Sequence, residues 1–189
     1  MSDSPVTGGG IRLDDPTVGV DPEAVSRALG AALRRAHDTP AVGTPLTLTA
    51  MAAALVAVAE HASEPEMTSG PYLGRPVLEL ARLAAETVSV LPPAIGPTVP
   101  IRAGLVLGDC VLGPDGIVTV EGERADGDRE VELAAAAVAV GERYGPAVIT
   151  ALLDAYGMDL IDLRRLDTGQ LVVSIARHVG FDLAAAAAG

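Results

Sequence analysis

The chain has 189 residues, of which 25 are acidic and 13 basic, giving a net charge of -12 and no basic stripe to meet a phosphate backbone or an anionic lipid surface. All 13 basic residues are arginine, and lysine, asparagine and tryptophan are absent. These absences exclude a standard P-loop, a protein-kinase-like site with its strand lysine and magnesium-binding asparagine, and Schiff-base chemistry on an amine.

Along the chain, residues 1–20 are rich in Gly, Ser, Pro and Asp and read as a flexible N-terminal arm. The start, Met1-Ser2-Asp3-Ser4-Pro5, lacks the positive charge and apolar middle of a signal peptide. No apolar run approaches the roughly 18 residues that span a bilayer, so a cytoplasmic protein is expected. A helix follows, with Asp21 as cap, Pro22 in its first turn and Val25, Leu29, Ala32, Leu33 and Ala36 at helical spacing. Asp38-Thr39-Pro40 ends it.

A second helix is predicted from Leu46 to His61, apolar all round between Met51 and Ala59. A third opens at Pro76, with Val77, Leu80, Ala81, Ala84 and Val88 on one face, and ends before Leu91-Pro92-Pro93. The character then changes. Cys110-Val111-Leu112 and the β-branched Ile117-Val118-Thr119-Val120 flank the tight-turn sequence Gly113-Pro114-Asp115-Gly116, which predicts a hairpin. Helices are expected again near 128–141, 145–156 and 160–179, and residues 181–189, ending in Ala184 to Ala188, read as a tail.

Within this frame residues 101–134 hold one constellation. Arg102-Ala103-Gly104-Leu105-Val106-Leu107-Gly108-Asp109 leads into Cys110-Val111-Leu112, the turn, Val120-Glu121-Gly122-Glu123-Arg124-Ala125 and Gly127-Asp128-Arg129-Glu130-Val131-Glu132-Leu133-Ala134. The segment resembles the catalytic and metal-binding stretch of the aminoglycoside phosphotransferase and choline kinase-like family. There a His-Gly-Asp-x-His-x-x-Asn motif is followed by a strand, a turn, a strand ending in Asp, and a helix that starts Gly-Asp-x-x-x-Asp-Leu-Ala. Leu33-Arg34-Arg35-Ala36-His37 and Leu152-Leu153-Asp154-Ala155-Tyr156-Gly157 resemble two further helix ends of that family.

The resemblance implies a mainly α (α+β) fold, the helical C-terminal lobe of a kinase-like phosphotransferase with a small β-hairpin, over residues 21–180. The chain has only 20 residues before it, so an N-terminal lobe is expected to be absent. The family's motif Asp accepts the substrate hydroxyl proton, while its Asn and strand-end Asp hold magnesium. In one register the base falls on Gly104, the Asn on Asp109 and the strand-end Asp on Glu121. In a second, Leu107-Gly108-Asp109 takes the His-Gly-Asp place and keeps the base, at the cost of the magnesium Asn and part of its strand. The first keeps both hairpin strands whole. It leaves no catalytic residue and makes Asp109 and Glu121 candidate metal ligands, with magnesium as the possible cation and no other cofactor.

The function implied is that of a non-catalytic, pseudokinase-like interaction protein, with an unknown protein partner or with itself. The alternative is a small-molecule phosphotransferase working with reduced machinery or a partner-supplied nucleotide lobe. Plainer expectations accompany the remaining residues. Cys110 reads as a buried strand cysteine, because its neighbours are acidic and apolar. His37, His61 and His178 lack metal-ligand spacing and read as helix C-terminal caps. Arg124 and Arg129 read as solvated partners of the surrounding acids, and Arg102 as a partner for Asp109.

Overall fold

Capping chemistry places three of the helices where the periodicity does. The Asp21 carboxylate accepts from the Glu23 N–H, with Pro22 in the first turn, and opens α1 (Pro22–His37). Thr47 accepts from the Ala50 N–H at the start of α2 (Leu48–Ala59), and Asp162 accepts from the N–H groups of Arg164 and Arg165 at the start of α6 (Leu163–His178). Between them lie α3 (Val77–Val90), α4 (Arg129–Tyr144) and α5 (Ile149–Tyr156). The computed structural model describes residues 10–17, 19–39, 45–94 and 96–183; half of the expected arm and the Ala184–Ala188 stretch of the expected tail lie outside these.

α4 is the central helix, buried without interruption from Glu130 to Ala137. Its alanines allow close approach: at Gly169 of α6 an added Cβ would stand 2.9 Å from the Ala134 Cβ, tighter than ordinary contact. α1 packs on α5 in the same manner, since a Cβ at Gly30 would collide with the Leu152 carbonyl. α2 packs against α3, and α3 against α6, so the core runs through Leu29, Leu55, Leu80, Leu133, Leu152 and Leu166, none more than 1% exposed.

The strands are short. Cys110–Leu112 (β3) and Val118–Val120 (β4) form the expected antiparallel hairpin, pairing Cys110 with Val120. Gly116 takes φ 77° in its turn, where the Asp115 carboxylate accepts from the Ile117 N–H. Ile11–Arg12 (β1) adds a third strand beside β3, and Leu13 is buried. That corrects the reading of residues 11–13 as free arm: their alternation is too short to show in sequence, and the ladder with β3 supplies the order. Val99–Ile101 (β2) pairs with Ala125–Gly127 (β5), and β5 leads directly into α4.

The entry to α4 carries a buried carboxyl that the sequence reading placed among solvated charges. Glu130 is fully excluded from solvent, and neither carboxylate oxygen has a hydrogen-bond partner. Burial raises its pKa above the ordinary carboxylate range, opposed by weaker attraction to Arg165. A raised folded-state pKa means that the stability is fully present below the unfolded pKa and is lost as pH rises through the folded value. Urea unfolding of wild type should therefore show stability falling more steeply as pH rises above about 4, the unfolded carboxylate value, than in Glu130→Gln. Equal pH dependence in the two proteins would remove Glu130 as the cause.

Candidate functional site

Two acids one turn apart on α4 organise the region around the hairpin. Asp128, at the N-cap position, does not cap its own helix with its side chain. Instead Oδ2 accepts from the Leu48 N–H at 2.9 Å and from Arg165 Nη2 at 2.7 Å, which joins the starts of α2, α4 and α6. Arg165 also donates to the Pro92 carbonyl at 3.1 Å, so the connector after α3 is fastened to the same point.

Glu132 is the second hub. It is fully buried, and its Oε2 accepts from His37 Nε2 at 2.7 Å and from Arg124 Nη1 at 3.0 Å. His37 Nδ1 lies 2.8 Å from the Tyr156 hydroxyl. The tautomer that satisfies both contacts carries the proton on Nε2, so that Tyr156 donates to Nδ1. Burial pushes the Tyr156 phenol up to about 12, which keeps that hydroxyl a donor. Arg124 donates further to the Pro100 carbonyl at 2.8 Å. One carboxylate thus ties the ends of α1 and α5 to the β4–β5 connection and to β2.

Three expectations change as a result. His37 does not cap α1; it is 6% exposed and spans between helices. Arg124 is no solvated partner of its acidic neighbours, because the Glu132 charge inside the fold draws its guanidinium inward. His178 has a 6% exposed side chain whose Nε2 makes no hydrogen bond. His61 does bond a carbonyl of its own last turn, that of Ala57 at 3.1 Å. The signal for the α4 hubs was present in Asp128-x-x-x-Glu132, since that spacing puts both acids on one face of a helix that continues into the apolar run Leu133 to Val140.

The hairpin mouth holds the remaining candidates. Asp109 stands immediately before β3, in the place the first register gives to the last residue of the motif. Both of its carboxylate oxygens are taken by Arg102, from Nε at 2.7 Å and Nη2 at 2.8 Å, and Oδ2 also accepts from the Val106 N–H. The Glu121 N–H donates to the Asp109 carbonyl at 2.8 Å, so the two residues sit opposite each other at the end of the ladder, with Glu121 exposed. Gly122 has φ 101°, and a Cβ there would collide with the Arg102 guanidinium, so glycine makes room for the bidentate pair. Gly104 is exposed, its φ is ordinary, and a Cβ built on it would meet no atom within 4 Å. Cys110 is fully buried, and burial with the neighbouring Asp109 charge pushes its thiol up to about 12, which removes it as a nucleophile. Among the described residues no group of three or more His, Cys, Asp or Glu side chains is placed to hold a metal ion, and no helix is long and apolar enough to cross a membrane.

Behind this mouth lies a cleft of about 1080 Å³ between the end of α2, the second half of α4, the end of α6 and the 61–72 connection. Hydrogen bonds from Met67 N–H to Arg75 carbonyl, Gly74 N–H to Met67 carbonyl and Val77 N–H to Pro65 carbonyl close that connection on itself and fix it as a wall. Arg177 lines the cleft and reaches out of it, donating to Glu142 at 2.8 Å and to the Leu105 carbonyl at 3.0 Å. The cleft and the Gly104 loop are therefore joined through one side chain.

The six helices and short sheets of the described residues have the fold of the helical part of kinase-like phosphotransferases, as the likeness to solved structures shows. The likeness to an aminoglycoside-3'-phosphotransferase of type VIII has a TM-score of 0.64 at 15% identity, covering 82% of this chain and 61% of that one. A macrolide 2'-phosphotransferase of type I gives 0.60 at 16% identity, covering 93% and 64%. A spectinomycin phosphotransferase in complex with ADP and spectinomycin gives 0.53 at 15% identity, covering 90% and 58%. The chain thus spans about three-fifths of the length of these structures. No family model matches the sequence, and no curated protein sequence does.

Removing the Glu132 carboxylate should be costly, because it leaves Arg124 and His37 facing an unpaired interior. Glu132→Ala should lose about 3–5 kcal/mol of unfolding free energy. Tyr156→Phe, which removes one hydroxyl, should lose about 1 kcal/mol. Urea denaturation measures both, and similar small losses for the two would deny Glu132 its role as hub.

Proposed function

We propose that this chain is a non-catalytic relative of the phosphotransferases whose fold it shares, an interaction protein that holds a small molecule in the cleft without transferring phosphate to it. The observation that carries the reading is the Arg102–Asp109 pair beside Gly104. Phosphoryl transfer in this fold works by positioning and charge: one carboxylate must take the acceptor proton and others must hold magnesium against the nucleotide phosphates. The register in which Asp109 precedes β3 puts no side chain where the base belongs, and the empty space around Gly104 shows that sterics do not impose the glycine. Asp109, the one acid in the magnesium Asn position, has both oxygens engaged by a guanidinium.

The opposing reading is a phosphotransferase with magnesium on Asp109 and Glu121, and one observation favours it. The two residues are backbone neighbours across the ladder, so their carboxylates could meet a single ion if Arg102 swung away. A magnesium ion competing for Asp109 must first displace a bidentate, partly buried pair.

The test is a magnesium-dependent assay for phosphate transfer from ATP to kanamycin, erythromycin or spectinomycin, run with thermal melts in the presence of Mg-ATP. No transfer and no rise in Tm are expected, since a ligand that binds the native state must raise Tm. Transfer that disappears in Glu121→Gln would establish the enzyme instead. Gly104→Asp should fold with a stability within about 0.5 kcal/mol of wild type, as an exposed substitution into open space does.

A further inference from the structure

The cleft behind the hairpin is built unevenly, and its chemistry restricts what it can hold. Its only acids are Glu64 and Glu142, and Glu142 is already paired with Arg177 at 2.8 Å. Much of its lining is apolar, with Val58, Met67, Val138 and Ile149 contributing from four different segments. Into this surface comes one buried polar atom without a partner. The His178 side chain is 6% exposed, its Nε2 makes no hydrogen bond, and the nearest acid, Glu64, is 4.0 Å away, beyond hydrogen-bond reach. A buried nitrogen left in that state costs about 1–3 kcal/mol, and native structures rarely keep such an atom without a use for it.

We infer that the cleft takes a neutral or singly charged ring compound with a largely apolar scaffold, whose carbonyl or hydroxyl oxygen meets His178 Nε2 once the buried imidazole turns toward it. This rests on the reading of the chain as a small-molecule holder and narrows it. The volume accommodates a drug-sized molecule, for which clefts of about 300–1000 Å³ are usual. A polycation is a poor fit. Each ammonium brought into an apolar cleft needs a carboxylate to offset its desolvation, and of the two acids among the described lining residues Glu142 is held by Arg177, which leaves Glu64, 4.0 Å from His178. A strongly anionic ligand fares no better, since Arg177 is engaged by Glu142 and by the Leu105 and Ala135 carbonyls.

The experiment uses the whole chain and three probes: hydrocortisone, which is neutral, erythromycin, with a single amine, and kanamycin, a polycation. Thermal melts with hydrocortisone or erythromycin should show Tm rising by roughly 2 °C or more toward saturation, and kanamycin should leave Tm unchanged. Ser174→Trp, which fills the cleft from α6, should abolish the rise. His178→Leu should weaken binding about tenfold, the value of one hydrogen bond, without lowering the Tm of the free protein, because it replaces an unpartnered polar atom by an apolar group. Stabilisation by kanamycin alone, no shift with either of the other probes, or an undiminished shift in Ser174→Trp would overturn the inference. Transfer of phosphate from Mg-ATP to a bound hydrocortisone or erythromycin would instead overturn the non-catalytic reading and leave the ligand class standing.

Discussion

The fold depends on a carboxylate that water never reaches. Glu132 lies in the first turn of the most buried helix, and an ion in that position is stable only if its charge is met by partners of good geometry. His37 and Arg124 meet it, and each brings another part of the chain: His37 the end of α1 and, through Tyr156, the end of α5, and Arg124 the β4–β5 connection and β2. Asp128, one turn earlier, does the same for α2, α6 and the connector after α3. The apolar core alone would leave the relative rotation of these helices weakly determined, because alanine surfaces slide past one another at little cost. The two acids fix it.

That fixed frame holds both the hairpin mouth and the cleft. At the mouth, Arg102 closes on Asp109 under a glycine that admits it, and Gly104 presents open space. At the cleft, the wall formed by residues 61–72 stands apart from α4 and α6 and leaves a volume of about 1080 Å³. Arg177 touches both. The described residues thus share the scaffold of the helical part of a phosphotransferase, with Arg102 holding both oxygens of Asp109 at the mouth.

Much of this was legible in the sequence. Helix starts at Asp21-Pro22 and Pro76, the Gly113-Pro114-Asp115-Gly116 turn and the α4 start at Gly127-Asp128 carry local chemistry strong enough to place their elements to within a few residues. The pairing of Arg102 with Asp109 was legible too, since opposite charges flanked a short loop. The cleft was not, because it is made by four segments far apart in sequence, none unusual alone. Glu130 and Arg124 were misread for the same reason. Amid Glu123, Asp126 and Asp128 they look like a solvated charge run, and only the packing of α4 under α6 shows which charges are taken inside. Ile11–Arg12 offered two residues of pattern, too few to distinguish a strand from an arm until β3 lay beside them.

The central claim is that Arg102 holds the mouth closed to a metal ion. Paramagnetic broadening of assigned backbone amide signals by Mn²⁺, titrated with and without ATP, reports on that point at residue resolution. The expected result is no selective broadening around Asp109, Glu121 and Gly122 in the wild-type chain under either condition. Saturable broadening centred on Asp109 and Glu121, strengthened by ATP and lost in Asp109→Ala, would contradict it and make the site a metal centre.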